Sequence, residues 1–138
     1  MKVKIVNGTA PTRATAYAAG WDLYSNMTAT IKPGERKMIT TGVFIELDVG
    51  QEGQVRPRSG LAVKHGVTIM NSPGTIDCDY RGEIKVCLIN LGDTDFNVSP
   101  GDRIAQLVIA KYDNSTYETV NVLTDTSRGE KGFGSSGQ

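Results

Sequence analysis

Two aspartates, Asp77 and Asp79, flank Cys78 in the stretch GTIDCDYRGEIKVCLIN, residues 74–90, and Tyr80, Arg81 and Gly82 follow them. Two acids beside an aromatic cost solvation if buried and gain little if exposed, so folding alone does not ask for this cluster. A carboxylate in such a place could take a proton from water or a hydroxyl. On residue type alone either aspartate could be that base.

Other residues could supply what the base acts upon. Arg58-Ser59-Gly60 stands where a short helix begins, and a helix start with a forked guanidinium suits phosphate. The plainer reading is a Ser59 N-cap beside a surface arginine. Gln106 lies inside the apolar run of residues 103–110, where an amide needs a partner, either in the core or on a ligand. The tail, residues 128–138, reads RGEKGFGSSGQ. Arg128, Phe133, Gly134 and Ser135 could close over an anionic, planar ligand, or the tail could be a disordered terminus. The absences narrow the chemistry. The single histidine, His65, falls at the end of the short helix and reads as a cap or surface residue rather than a base, so no Ser-His-Asp arrangement is expected, and Cys78 and Cys87 make neither a disulfide framework nor a zinc set. No GxxxxGK[ST] loop is present. A base must therefore be a carboxylate, and a metal must be held largely by the substrate.

Short strands have to position these groups. Residues 2–5, 29–32, 38–47, 67–70, 84–89, 103–110 and 116–123 carry β patterns. In the opening stretch Ile84, Val86 and Leu88 share one face, and Lys85, Cys87 and Ile89 the other. Pro33-Gly34-Glu35 and Pro100-Gly101-Asp102 repeat one turn signal, with proline and glycine at the central positions of a type II turn. The only helix candidate is short, a turn or two over Leu61 to His65, with Ser59 as a possible N-cap and Gly66 just past its end. The pattern predicts an all-β, jelly-roll-like barrel or sandwich with one short helix and a mobile glycine-rich tail. Residues 1–124 form the expected β domain, and residues 125–138 the arm.

At 138 residues the chain can bury a real core. Fifteen basic and fifteen acidic residues cancel, which disfavours non-specific nucleic-acid binding. No apolar run approaches the roughly 18 residues of a membrane span. The N-terminus reads as a strand, so no signal or transit peptide is expected. Free thiols point to a reducing compartment.

The stretches AAGWDLYS (18–25), PRSGLA (57–62), GTIDCDYRGE (74–83), GDRIAQLVI (101–109) and RGEKGFGSSG (128–137), in this order, closely resemble the motifs of the homotrimeric dUTP pyrophosphatase (dUTPase) family. The resemblance implies a trimer with shared active sites that hydrolyses dUTP to dUMP and pyrophosphate, limiting uracil in DNA and supplying dUMP for dTMP synthesis. It implies Asp77 as the base on the attacking water, with Tyr80 under the deoxyribose. Asn71, Thr75, Ile76 and Lys85 would line the uracil pocket. Arg58, Ser59, Gly60 and Gln106 would hold the α- and β-phosphates. Arg128, Gly134 and Ser135 would take the γ-phosphate, and Phe133 would cover the base. Mg2+ would bridge the phosphates, with Asp22 a water-mediated neighbour. Asp79 would be structural, for example by pairing with an arginine. Glu130 and Lys131 depart from the small residues usual in the family's tail, and Trp21 stands where tyrosine is usual. The family resemblance places the chain in the cytoplasm, or in the nuclear or viral compartment of a host cell, with no membrane association. A regulatory protein partner is left open. A dCTP deaminase, a relative with the same subunit fold, would need a further glutamate near the hairpin, and none is expected there. A non-catalytic nucleotide binder would have no use for so complete a set of residues.

Overall fold

The computed structural model describes residues 1–132. The alternation noted around Ile84 becomes burial. Ile84, Val86 and Leu88 are buried, while Lys85 is exposed and Cys87 and Ile89 are half-buried. Among the described residues there are eleven strands and one helix: β1 (Lys2–Ile5), β2 (Gly20–Tyr24), β3 (Ala29–Ile31), β4 (Arg36–Thr40), β5 (Val43–Glu46), β6 (Gln51–Arg56), α1 (Ser59–His65), β7 (Val67–Ile69), β8 (Gly74–Ile76), β9 (Lys85–Asn90), β10 (Phe96–Val98) and β11 (Arg103–Lys111).

All pairings are antiparallel. A four-stranded sheet runs β2-β11-β6-β8 and a three-stranded one β4-β9-β7, with the pairs β1-β5 and β10-β3 beside them. Leu23, Val55 and Leu107 of the larger sheet share one buried core with Ile39, Ile69, Val86 and Leu88 of the smaller. The fold is a jelly-roll-like β sandwich. Asn90, buried in that core, is satisfied: its amide donates to the carbonyls of Ile31 (2.9 Å) and Thr94 (2.8 Å).

The two Pro-Gly turns form as expected. Gly34 and Gly101 have φ of 77° and 90°, and the chain closes from Glu35 N–H to Lys32 O (2.9 Å) and from Asp102 N–H to Ser99 O (3.1 Å). The acid in each turn reaches back: Lys32 N–H donates to Glu35 (3.0 Å) and Ser99 N–H to Asp102 (2.7 Å).

Three expectations need correction. The strand foreseen over 38–47 is two strands. The chain leaves one sheet for another at Thr41-Gly42, where Gly42 has φ 70° and a Cβ would overlap the Val6 carbonyl. The strand foreseen over 116–123 is absent, and Tyr117, Val122 and Leu123 are more than 80% exposed. A β pattern without a neighbouring edge on its own chain has nothing to pair with. Ser59 does not cap α1. Arg58 holds the N-cap position in an extended conformation, with no side-chain capping bond. Gly66 does end the helix, left-handed at φ 65°.

Candidate active site

The Asp77 stretch folds as a hairpin that largely supports itself. β8 delivers Gly74, Thr75 and Ile76, residues 77–83 turn, and β9 begins at Lys85. Inside the turn Tyr80 N–H donates to Asp77 O (3.1 Å). The Arg81 guanidinium donates to the carbonyls of Cys78 (2.7 Å) and Tyr80 (3.0 Å). The Tyr80 hydroxyl donates to Glu83 O (3.0 Å). The Glu83 carboxylate then ties the hairpin to the β4–β5 junction, accepting from Thr41 N–H (3.1 Å) and Gly42 N–H (2.8 Å). A pocket of about 330 Å³ opens beside the turn, lined by Met38, Thr75, Ile76, Asp77, Tyr80, Glu83 and Lys85.

Thr75, Ile76, Asp77, Tyr80 and Lys85 are thus brought together as expected. Asn71 is not among the lining residues; it is exposed, with its amide nitrogen close against Gly74. Met38 and Glu83 are additions. Met38 sits opposite Cys87 on β4 and is about half exposed, a position that pattern alone assigns to a solvent face. Glu83, the motif's own glutamate, has one oxygen committed to two backbone amides, and no further glutamate is among the residues that line the pocket. Asp79 makes no ion pair among the described residues, so the arginine partner foreseen for it is not found.

A second pocket, about 220 Å³, is lined by Ala14, Asp22, Arg58, Ser59, Gly60, Arg103 and Gln106. It is built from distant segments. The register of β11 puts Gln106 opposite Asp22 on β2 and Arg56 on β6. Asp22 gives one oxygen to Arg58 Nε (3.2 Å) and the other to Arg103 Nη1 (3.4 Å). Arg58 Nη1 also donates to Arg103 O (3.1 Å). Gln106, the amide in the apolar run, donates to Pro57 O (2.9 Å) and so pins the peptide that precedes Arg58. Gly20 makes room for it, because a Cβ there would overlap the Gln106 amide oxygen. Two guanidiniums against one carboxylate leave the pocket positive, which suits a phosphate chain. Arg103 and Gly20 are the residues that motif reading passed over. A cation at the start of the strand that carries Gln106 was the available signal.

No residue lines both pockets. A larger hollow of about 600 Å³ adjoins the second pocket through Arg58 and Arg103 and holds His65 beside Phe96, ring centroids 5.4 Å apart. Arg128 lines neither pocket, and its Nε donates to Lys131 O (2.9 Å) within the tail. Phe133, Gly134 and Ser135 lie outside the described residues. Among the described residues no three His, Cys, Asp or Glu side chains group to hold a metal ion. No helix of the described residues is long and apolar enough to cross a membrane.

Residues 6–137 match the family model of the dUTPases. The chain belongs to the dUTPase family. It is 54% identical to the deoxyuridine 5'-triphosphate nucleotidohydrolase of Rickettsia akari, over 99% of this chain and 93% of that protein. It is 53% identical to the protein of the same description from Syntrophotalea carbinolica, over 99% of this chain and 96% of the other. Among solved structures, the dUTPase of Staphylococcus bacteriophage 80alpha with dUPNHPP superposes with a TM-score of 0.92 at 28% identity, covering 99% of this chain and 98% of that one. The stretch 74–83 supplies five of the seven residues that line the hairpin pocket, and the stretches carrying Asp22, Arg58 and Gln106 converge on the positive one.

Proposed function

We propose that the chain hydrolyses dUTP to dUMP and pyrophosphate, with Asp77 as the base. The supporting observation is that Asp77 and Tyr80 share one pocket on a hairpin braced from both ends. The Asp77 carboxylate orients a water and accepts its proton as the water oxygen bonds to the α-phosphorus. The bond from that phosphorus to the bridging oxygen breaks, and pyrophosphate leaves. Such a displacement needs positioning and charge neutralisation more than a strong nucleophile. Tyr80 forms the platform under the deoxyribose and excludes a 2′-hydroxyl. Asn71 and the backbone of Thr75, Ile76 and Lys85 read the uracil edge, where a wrong base would leave buried partners unpaired.

Arg58, Ser59, Gly60 and Gln106 receive the α- and β-phosphates. Arg128, Gly134 and Ser135 take the γ-phosphate, with Phe133 over the base, as the arm of residues 125–138 closes. The residues present would fit a magnesium ion held largely by the substrate's own phosphates. Asp22 is the acid at the positive pocket, and with both oxygens paired to arginines it would meet the ion through a shared water, as the resemblance implies. When bound, magnesium would supply neutralisation of the triphosphate charge. The resemblance implies a homotrimer with shared sites, and in such an assembly the Asp77 pocket of one copy would face the Arg58 pocket of another. The free thiols Cys78 and Cys87 suit a reducing cytoplasm.

Asp77→Asn tests the assignment. It should keep dUTP binding and lose most pyrophosphate release, and undiminished release would remove Asp77 from its role. Ammonia release from dCTP would instead point to a deaminase.

A further inference from the structure

Gly82 is not held by its backbone, since its φ lies outside the left-handed region that forces glycine on other turns of this chain. Its constraint is a side chain. A Cβ at Gly82 would overlap the Tyr80 hydroxyl and Cζ, and would stand 2.8 Å from Cε2. The nearest atoms all belong to Tyr80 and none to backbone. The phenol end of Tyr80 therefore rests directly on the Gly82 backbone while its hydroxyl reaches Glu83 O at 3.0 Å. Tyr80 as a residue is 43% exposed and forms a wall of the hairpin pocket. The depth of that wall is thus set by the missing side chain two residues later.

We propose that Gly82 is a specificity-determining positioning residue, which seats the Tyr80 ring at the depth that admits a deoxyribose and excludes a ribose. This rests on the reading of Tyr80 as the sugar platform. A methyl group at Gly82 lifts the ring off the turn and breaks its bond to Glu83 O. The backbone of the turn, including the Tyr80 N–H to Asp77 O bond, has no reason to move. Binding and sugar discrimination therefore change, and the chemical step does not.

The experiment measures kcat and KM for dUTP and for UTP in the wild type, Gly82→Ala, Tyr80→Ala and the double variant. Gly82→Ala should raise KM for dUTP on the order of tenfold, leave kcat within about twofold, and narrow the preference for dUTP over UTP. In the Tyr80→Ala background the same substitution should add nothing, because the ring it displaces is gone. An unchanged preference in Gly82→Ala, with a changed one in Tyr80→Ala, overturns the proposal and leaves the Tyr80 reading standing. An unchanged preference in Tyr80→Ala overturns the Tyr80 reading and the proposal with it. Equal losses from Gly82→Ala in both backgrounds make Gly82 merely structural. Should Gly82→Ala alone fail to fold, folding of the double variant supports the proposal, and failure of both refutes it.

Discussion

The two pockets are built in opposite ways. The hairpin pocket draws Thr75, Ile76, Asp77, Tyr80, Glu83 and Lys85 from one short run of chain, and backbone carbonyls inside the turn accept most of its bonds. The positive pocket joins β2, the start of α1 and β11 through a carboxylate shared by two guanidiniums. A local turn keeps its geometry when one contact is lost. A site made across three segments depends on each charged partner, because removing one leaves another partly buried charge uncompensated. Substitution of the acid at the hairpin turn should therefore cost turnover and little stability, whereas loss of a charge from the positive pocket should cost phosphate binding and stability together.

Asp77→Asn should give the largest effect and the cleanest separation. Turnover should fall on the order of 10³-fold, with dUTP affinity within a few-fold of wild type by calorimetry and an unchanged unfolding midpoint. A matching loss of affinity would erase the contrast between the pockets. Arg58→Ala comes next. It removes a phosphate donor and strips Asp22 of one partner, so kcat/KM should fall about 10²-fold. Affinity for dUTP should drop far more than affinity for deoxyuridine, which has no phosphate; equal losses would place Arg58 outside the phosphate site. Gly20→Ala should push the Gln106 amide from its place and release the Pro57 carbonyl, lowering kcat/KM about tenfold. Gln106→Ala should mask that effect, and a Gly20→Ala loss that persists beside it would break the link. Glu83→Ala is the smallest and concerns stability. It leaves the Thr41 and Gly42 amides without their acceptor and should cost about 1–3 kcal/mol in urea unfolding. A cost near zero would mean that the hairpin needs no brace from the β4–β5 junction.

The same contrast explains what could be read before the fold was known. The hairpin was legible because its residues are contiguous: Asp77 and Tyr80 stand out as chemistry, and the alternation after Gly82 fixes which side of β9 is buried. The Pro-Gly turns were legible for the same local reason. Gly82 and Glu83 lay within the quoted motif, but their tasks were hidden. One sits under a ring, and the other reaches Thr41 and Gly42 across the fold. The task of Gly20, and the pairing of Arg103 with Asp22, became visible only through the register of β11 on β2, which no spacing in a single strand reveals. Residues 116–123 show the converse failure. Their pattern is a strand's, and no edge of this chain receives it. The cap of α1 was misread because Ser59 is the usual capping type, whereas the chain uses the extended Arg58 and directs its side chain to Asp22.

A mixed-subunit experiment tests most directly whether the two pockets are halves of one site supplied by different copies. Asp77→Asn chains and Arg58→Ala chains, each nearly inactive alone, are unfolded together, refolded in equal amounts and assayed for pyrophosphate release from dUTP. If one copy supplies the Asp77 pocket and a neighbour the Arg58 pocket, random cyclic assembly restores about a quarter of the wild-type sites, and activity rises to match. If both pockets serve a site within one chain, every site keeps a defect, and the mixture shows no more than the average of the two variants.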